Sequence, residues 1–96
     1  MKTVYEKIRE LCRLKGEVIE VLLDGAIIHY HLGDYIIQIN NATTTPESIV
    51  VCVTTLSGDI IYANPYAIRG AQLYGLEISW PSDPEILERI VKEFER

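Results

Sequence analysis

The chain has 96 residues, a formal net charge of −5 and a hydrophobic fraction of 48%. This apolar content excludes a disordered segment, and the length predicts one domain over residues 1–96 with a single core. No apolar run approaches the roughly 20 residues that span a bilayer, and charges stand near the N-terminus where a signal peptide needs an apolar stretch. We therefore predict a protein of the cytoplasm, in a cell or an infected host cell, that does not contact membranes.

The first predicted element is a helix over residues 3–15. Thr3 and Glu6 have the spacing of a capping box, and Gly16 stands where a glycine commonly ends a helix. One face of this helix carries apolar residues at helical spacing, namely Val4, Ile8, Leu11 and Cys12.

From residue 17 the hydrophobic period changes to two, which indicates strands. Three two-residue turns separate neighbouring strands, at Asp24-Gly25, Gly33-Asp34 and Ser57-Gly58, and such turns predict an antiparallel meander. A weaker sixth strand is predicted around Gly75. The predicted strands cover residues 17–23, 26–32, 35–40, 49–56, 59–64 and 72–80.

A second helix is predicted to start at Asp83 and Pro84, which suit the cap and the first helical position. Its apolar face holds Ile86, Leu87, Ile90, Val91 and Phe94. The chain therefore predicts an α+β fold, with a five- or six-stranded antiparallel meander sheet and the N- and C-terminal helices on one face.

Two helices cover one face of such a sheet, and the other face still carries aliphatic side chains. An apolar uncovered face predicts a homodimer or a partner surface, although single exposed aliphatics are also ordinary. A one-residue error in register would exchange the two faces. Strict alternation assigns to the uncovered face Val18, Glu20, Leu22, Ile27, His29, His31, Ile36 and Gln38.

The positive charges are unevenly distributed. Between Gly16 and Ile68 the sequence has no Lys or Arg, while the same stretch contains six acidic residues. A sheet without cations cannot neutralise phosphates, so direct nucleic-acid binding is not expected. The acidic residues could instead steer a basic protein partner, or serve only solubility.

His29 and His31 lie two residues apart on a predicted strand, which places both on one face about 6.5–7 Å apart. This spacing can chelate a metal or serve acid–base chemistry, and Asp34 or Glu20 could complete a site. Two histidines without a third fixed ligand are more typical of a surface. No metal, cofactor or catalytic set is therefore predicted.

Two further features leave alternatives open. Tyr62, Asn64, Tyr66 and Arg69 follow one another in an irregular segment and form a possible loop site, where the arginine could bind a carboxylate or phosphate or form a structural ion pair. Cys12 and Cys52 are expected to be small buried side chains, although a disulfide between them is an alternative.

Residues 57–65, with the sequence SGDIIYANP, resemble the hairpin of the type Gly-x-Ile-x-Tyr-x-Asn-Pro near the start of PAS sensor domains. The resemblance implies a small-molecule sensor module. A PAS domain needs several helices and three long strands after this motif, which the remaining chain is too short to supply.

The whole chain resembles the small acidic α+β proteins of crenarchaeal filamentous and rod-shaped viruses in size, Ile- and Tyr-rich composition and helix–meander–helix order. Those proteins are often dimeric, and some are anti-CRISPR inhibitors. The resemblance implies an inhibitor of a host nucleic-acid-binding or defence protein. The high Ile and Glu content with a single Met separately indicates a heat-adapted source.

Together these observations predict a non-enzymatic, homodimeric protein-interaction module. The alternatives are a PAS-like sensor and a small enzyme that uses His29 or His31.

Overall fold

The computed structural model describes residues 2–40, 51–64, 68–69, 72–73, 75 and 80–95. These residues form two helices and five strands, which confirms the α+β fold. In chain order the elements are α1 (Val4–Lys15), β1 (Glu17–Leu22), a 3-10 turn (Leu23–Gly25), β2 (Ile27–Leu32), β3 (Tyr35–Asn40), β4 (Val51–Thr55), β5 (Ile60–Ala63) and α2 (Glu85–Phe94).

The five strands form one antiparallel sheet in which the spatial order equals the chain order, β1-β2-β3-β4-β5. Each strand therefore pairs with its neighbour in sequence, as predicted for a meander. Tyr30 stands opposite Ile37, and Ile37 stands opposite Val53, so these three side chains share a face. Among the described strands, β1 and β5 are the two edges of the sheet.

Both helices pack on one face of the sheet, and the core lies between the two layers. Each predicted helical stripe supplies buried residues, because the apolar positions recur on the side that meets the sheet. The core residues are Ile8, Leu11 and Cys12 from α1, Leu87, Ile90 and Val91 from α2, and Tyr30, Leu32, Ile37, Ile39, Val53 and Tyr62 from the sheet.

The capping box at the start of α1 is confirmed. The Thr3 hydroxyl oxygen accepts a hydrogen bond from the Glu6 backbone N–H, and the Glu6 carboxylate accepts one from the Thr3 N–H. The helix ends at Gly16 as predicted, but the glycine has an extended backbone with a φ of −78° and not the left-handed conformation common at helix ends. A Cβ at this position would lie 2.6 Å from the Cys12 carbonyl oxygen in the last turn of α1 and 3.2 Å from the Tyr30 Cβ on β2, so the path of the chain out of the helix requires glycine.

The turn between β1 and β2 is longer than the predicted two-residue turn. Leu23, Asp24 and Gly25 all have a positive φ, and the next strand begins only at Ile27. A leucine in this conformation is unusual, because its Cβ crowds the backbone. The turn at Gly33 is the predicted short one, and a Cβ there would collide with the ring of Phe94.

The C-terminal helix is capped at its start and packs against the sheet at its end. At its start, the Asp83 carboxylate accepts a hydrogen bond from the Glu85 N–H at 3.0 Å, in the capping role that was predicted. At its end, the Phe94 ring packs edge-on against Tyr35, with ring centroids 6.5 Å apart. The helix is therefore fixed over the β2–β3 turn.

The predicted sixth strand is not found in the described part of residues 72–80. Gln72 and Leu73 are helical rather than extended, in keeping with the helical tendency of both residues. The predicted start of the fourth strand at residues 49–50 and most of residues 65–79 lie outside the described residues.

Candidate interaction surface

The sheet face opposite the helices carries most of the residues that alternation assigned to it. Glu20 stands opposite His29, and Leu22 opposite Ile27, across the first strand pair. His29 stands opposite Gln38, and His31 opposite Ile36, across the second. Directly opposed residues of antiparallel strands share a face, so these seven residues form one continuous surface, called here the second face.

Val18 is the exception, and its assignment to the second face is corrected. Val18 stands opposite Tyr30, which belongs to the helix-side core, whereas Glu20 stands opposite His29. The register shifts between Val18 and Glu20, so β1 contains a β-bulge with Ile19 as its extra residue. The spacing of Glu17 and Glu20 indicates such a bulge, because strict alternation would direct one of the two glutamates towards the helices.

The two histidines make separate contacts. His29 Nδ1 lies 3.5 Å from a Glu20 carboxylate oxygen, and His31 Nε2 lies 2.8 Å from the Gly33 carbonyl oxygen. Both rings are half-buried on the second face. Within the described residues, no group of three or more His, Cys, Asp or Glu side chains could hold a metal ion.

The aliphatic residues at the centre of the second face are partly shielded by their neighbours. Ile27 and Ile36 are both half-buried, as are Gln38 and the two histidines. Among the described strands, the exposed large aliphatic side chains belong to β1, at the edge of the sheet.

β1 is exposed along its whole length. Its four aliphatic residues are Val18, Ile19, Val21 and Leu22, which retain 52%, 51%, 54% and 38% of their accessible surface. Leu23 follows in the turn and is 74% exposed. None of these residues belongs to the core. These residues, 17–23, are called here the β1 edge.

The far edge of the sheet is covered in part. The backbone N–H of Ala63 in β5 donates a hydrogen bond of 2.8 Å to the Pro81 carbonyl oxygen, in the segment that leads into α2. Ala63 is fully buried, and Asn64 is 1% exposed. The β1 edge therefore differs from the β5 edge both in exposure and in aliphatic content.

The four residues of the possible loop site are not brought together on the surface. Tyr62 is fully buried, and its hydroxyl donates to the Tyr5 hydroxyl at 3.2 Å. Burial and this hydrogen bond raise the pKa of Tyr62 well above its usual value. Asn64 is also buried, Arg69 is exposed, and Tyr66 lies outside the described residues.

The two cysteines are free in the structure, so the alternative of a disulfide between them is not found. Cys12 is fully buried under α1, and burial raises the pKa of its thiol from 9.0 to about 12. Cys52 lies on β4 opposite Gln38 and is half-buried, and burial raises its pKa as well. A thiol that stays protonated is a poor nucleophile, so neither residue has the environment of a catalytic cysteine.

An open groove of about 450 Å³ lies between α1 and α2. Charged side chains of both signs line it, with Lys2 and Lys7 from the N-terminal side and Glu88 and Glu95 from α2. The groove is in the helical layer, on the opposite side of the sheet from His29 and His31. None of the described helices is long and apolar enough to cross a membrane.

The fold and this surface therefore define a two-layer α+β protein with an exposed aliphatic strand at one edge of its sheet. No protein-family model, curated protein or solved structure matches the chain.

Proposed function

We propose that this protein is a non-enzymatic interaction module that binds another polypeptide through the β1 edge. The observation that carries the proposal is the exposure of all six β1 residues, four of which are aliphatic. Contiguous exposed apolar residues on a small protein mark an interaction surface more often than scattered ones do.

The backbone of an edge strand adds directional binding to this apolar surface. Among the described strands, β1 pairs with β2 alone, and the backbone groups on its other side could pair with a further strand. Natural proteins usually protect such an edge with lysine, proline or a covering segment. β1 contains neither lysine nor proline, and its bulge and two glutamates are the features that restrict pairing.

The side chains of β1 supply affinity on both faces of the added strand. Completing the burial of one half-exposed valine or leucine stabilises a complex by about 1 kcal/mol. Val18 and Val21 lie on the helix side, while Leu22 lies on the second face. A partner strand would therefore gain apolar contacts above and below the sheet.

Charge sets the preferred partner. Glu17 and Glu20 flank the aliphatic residues, and no Lys or Arg occurs between Gly16 and Ile68. This arrangement repels phosphate backbones and favours a polypeptide that places uncharged or basic residues directly opposite the two glutamates.

The two alternative functions receive less support from the geometry. A small-molecule sensor needs an enclosed apolar pocket, whereas the groove between the helices is open and lined by charges. For an enzyme, His29 needs a reacting partner in a cleft, and its described contact is the exposed Glu20. We place the module in the cytoplasm, where free thiols such as those of Cys12 and Cys52 persist.

Site-specific photo-crosslinking tests the proposal. A benzophenone amino acid is placed at Val21 on the β1 edge or, as the control, at Leu56 in the β4–β5 turn, and the protein is expressed in cells of its source. The two positions have matched exposures of 54% and 57%. We expect a discrete protein adduct at position 21 that Ile19→Lys removes.

Two results would overturn the proposal. One is the absence of any protein adduct at position 21, and the other is an equal pattern of adducts at positions 21 and 56. The folded state of each variant is checked by circular dichroism, which should match the parent because both side chains point to solvent.

A further inference from the structure

We infer that the partner of the β1 edge is a second copy of the chain, and that two β1 strands pair antiparallel with Val18 opposite the partner's Val21. This inference rests on the proposed function and names the occupant of the same surface. A twofold axis would pass between Ile19 and Glu20, perpendicular to the sheet, and would join two five-stranded sheets into one.

The β-bulge makes this register possible. In a regular strand, residues three apart point to opposite faces, so Val18 and Val21 could not meet in a symmetric antiparallel pair. Because Ile19 is an extra residue, Val18 and Val21 both lie on the helix side. Glu17 and Leu22 likewise both lie on the second face, where they would stand opposite each other.

The positions of the glutamates exclude the neighbouring registers. If the second strand is shifted by two positions so that Val18 faces the partner's Ile19, Glu17 stands opposite the partner's Glu20. If it is shifted by one position the other way, so that Val18 faces the partner's Leu22, the two copies of Glu20 stand opposite each other. Like charges directly opposed across strands are destabilising. A shift by one position that places Val18 opposite the partner's Glu20 pairs a residue of the helix side with one of the second face. Registers that pair Val18 or Val21 with itself overlap only three of the six strand residues.

The self-pairing extends the surface beyond the strand itself. The turn residue Leu23 would lie beside the partner's Gly16. Leu23 is 74% exposed in the single chain. A stable interface needs about 800 Å² per partner. That is about an eighth of the 6125 Å² accessible surface of the chain, so the β1 edge would form the centre of the contact and residues flanking it would complete the area.

The edge pairing differs from a dimer formed through the second face. In such a dimer the half-buried Ile27 and Ile36 would lie at the centre of the interface. β3 lies two strands away from β1, so Ile36 is about 10 Å from the proposed interface. A charge at Ile36 would break a face-to-face dimer and leave an edge-to-edge dimer intact. The two arrangements can therefore be separated by substitution.

Sedimentation velocity of the purified parent protein from low to high micromolar concentration is the first measurement. We expect a monomer–dimer equilibrium. Amide hydrogen exchange needs no variant, and the amides of residues 17–22 should become more protected as concentration rises. The amides of β5 should not change.

Complementary charges test the register. Val18→Lys and Val21→Glu, each alone, place a charge opposite an aliphatic residue twice per dimer, and each should weaken dimerisation at least about tenfold. The double variant V18K/V21E places Lys opposite Glu twice, and its dimerisation should return to within about threefold of the parent. Ile36→Lys is the matched control and should leave dimerisation unchanged.

Several outcomes would overturn the inference: a parent that stays monomeric at high micromolar concentration, a monomeric Ile36→Lys, or a double variant no better than the single ones. A monomeric parent whose position 21 still crosslinks to another protein would remove the second copy as the occupant and leave the proposed function standing. The absence of both a dimer and an adduct would remove both proposals.

Discussion

At the scale of single residues, the structure assigns Cys12 to stability rather than to chemistry. Its side chain is fully buried between α1 and the sheet, and burial raises the pKa of the thiol from 9.0 to about 12. In the unfolded chain the thiol has its ordinary pKa. Between these two values the unfolded state loses a proton that the folded state keeps.

We therefore expect the free energy of unfolding to fall as the pH rises from 9.0 towards about 12. Below pH 9 both states hold the proton, so the contribution of Cys12 is fully present there. Above it, the slope from one such group is about 1.4 kcal/mol per pH unit. Urea unfolding at increasing alkaline pH measures this slope.

Cys12→Ala is the control for this slope, because the variant keeps every other alkaline group, including Tyr62. The difference in stability between parent and variant should shrink as the pH rises. A pH-independent difference would contradict the assigned cause. In the same range, a thiol reagent should modify the half-buried Cys52 before Cys12 in the folded protein.

At the scale of elements, α1 has one buried and one exposed face that can be compared directly. Leu11 is 7% exposed and packs in the core, whereas Leu14, nearly one turn later, is 83% exposed. Leu11→Ala should lower the free energy of unfolding by about 2–4 kcal/mol, because it leaves a cavity under the helix. Leu14→Ala should change it by less than about 0.5 kcal/mol.

Denaturant unfolding with both probes, fluorescence and circular dichroism, measures the two values. Equal effects of the two substitutions would show that α1 does not dock as described. Ile90→Ala provides a second test, because the α2 residue is 1% exposed and meets the same core.

The elements also show what the sequence can and cannot predict. The apolar stripes, the capping box and β3 follow from local periodicity, and each is found where it was predicted. The bulge at Ile19 and the left-handed conformation of Leu23 depend on pairing with β2, and strict alternation carries no information on an extra residue.

The same limit applies to the candidate site. Alternation placed seven residues on the second face correctly, because β2 and β3 are regular. It could not show that the β1 edge is more exposed than the centre of that face, since exposure depends on the order of the strands in the sheet, and β1 lies at its edge. The burial of Tyr62 and Asn64 likewise depends on α2 and the segment before it. These residues come later in the chain than the hairpin but contact the end of β5 in space.

At the scale of the whole molecule, the two layers differ in how far apart their contacts are in the chain. Each of the five described strands pairs with its neighbour in sequence. By contrast, α1 meets α2 across most of the chain, as in the hydrogen bond from Lys15 Nζ to the Phe94 carbonyl oxygen. Closing a longer loop is entropically less favourable. We therefore expect the sheet to form before the helices meet.

Two isoleucine-to-alanine variants test this order. Ile90→Ala in α2 should accelerate unfolding, by about thirtyfold for a loss of about 2 kcal/mol, and leave the folding rate nearly unchanged. Ile37→Ala in β3 should slow folding instead. Stopped-flow measurements across denaturant concentrations give the folding and unfolding rates separately. If Ile90→Ala slowed folding and Ile37→Ala did not, the helices would meet before the sheet forms.

The position of β1 outside the core has a consequence for how this protein can change. No β1 residue packs between the layers, so the strands and helices that maintain the fold are distinct from the strand available for recognition. If β1 binds a polypeptide as proposed, substitutions at Val18, Val21 or Leu22 should alter which polypeptide is bound while the stability of the domain stays nearly constant. Partner preference would then be open to evolution, or to selection in a library confined to six positions, without compensating changes elsewhere.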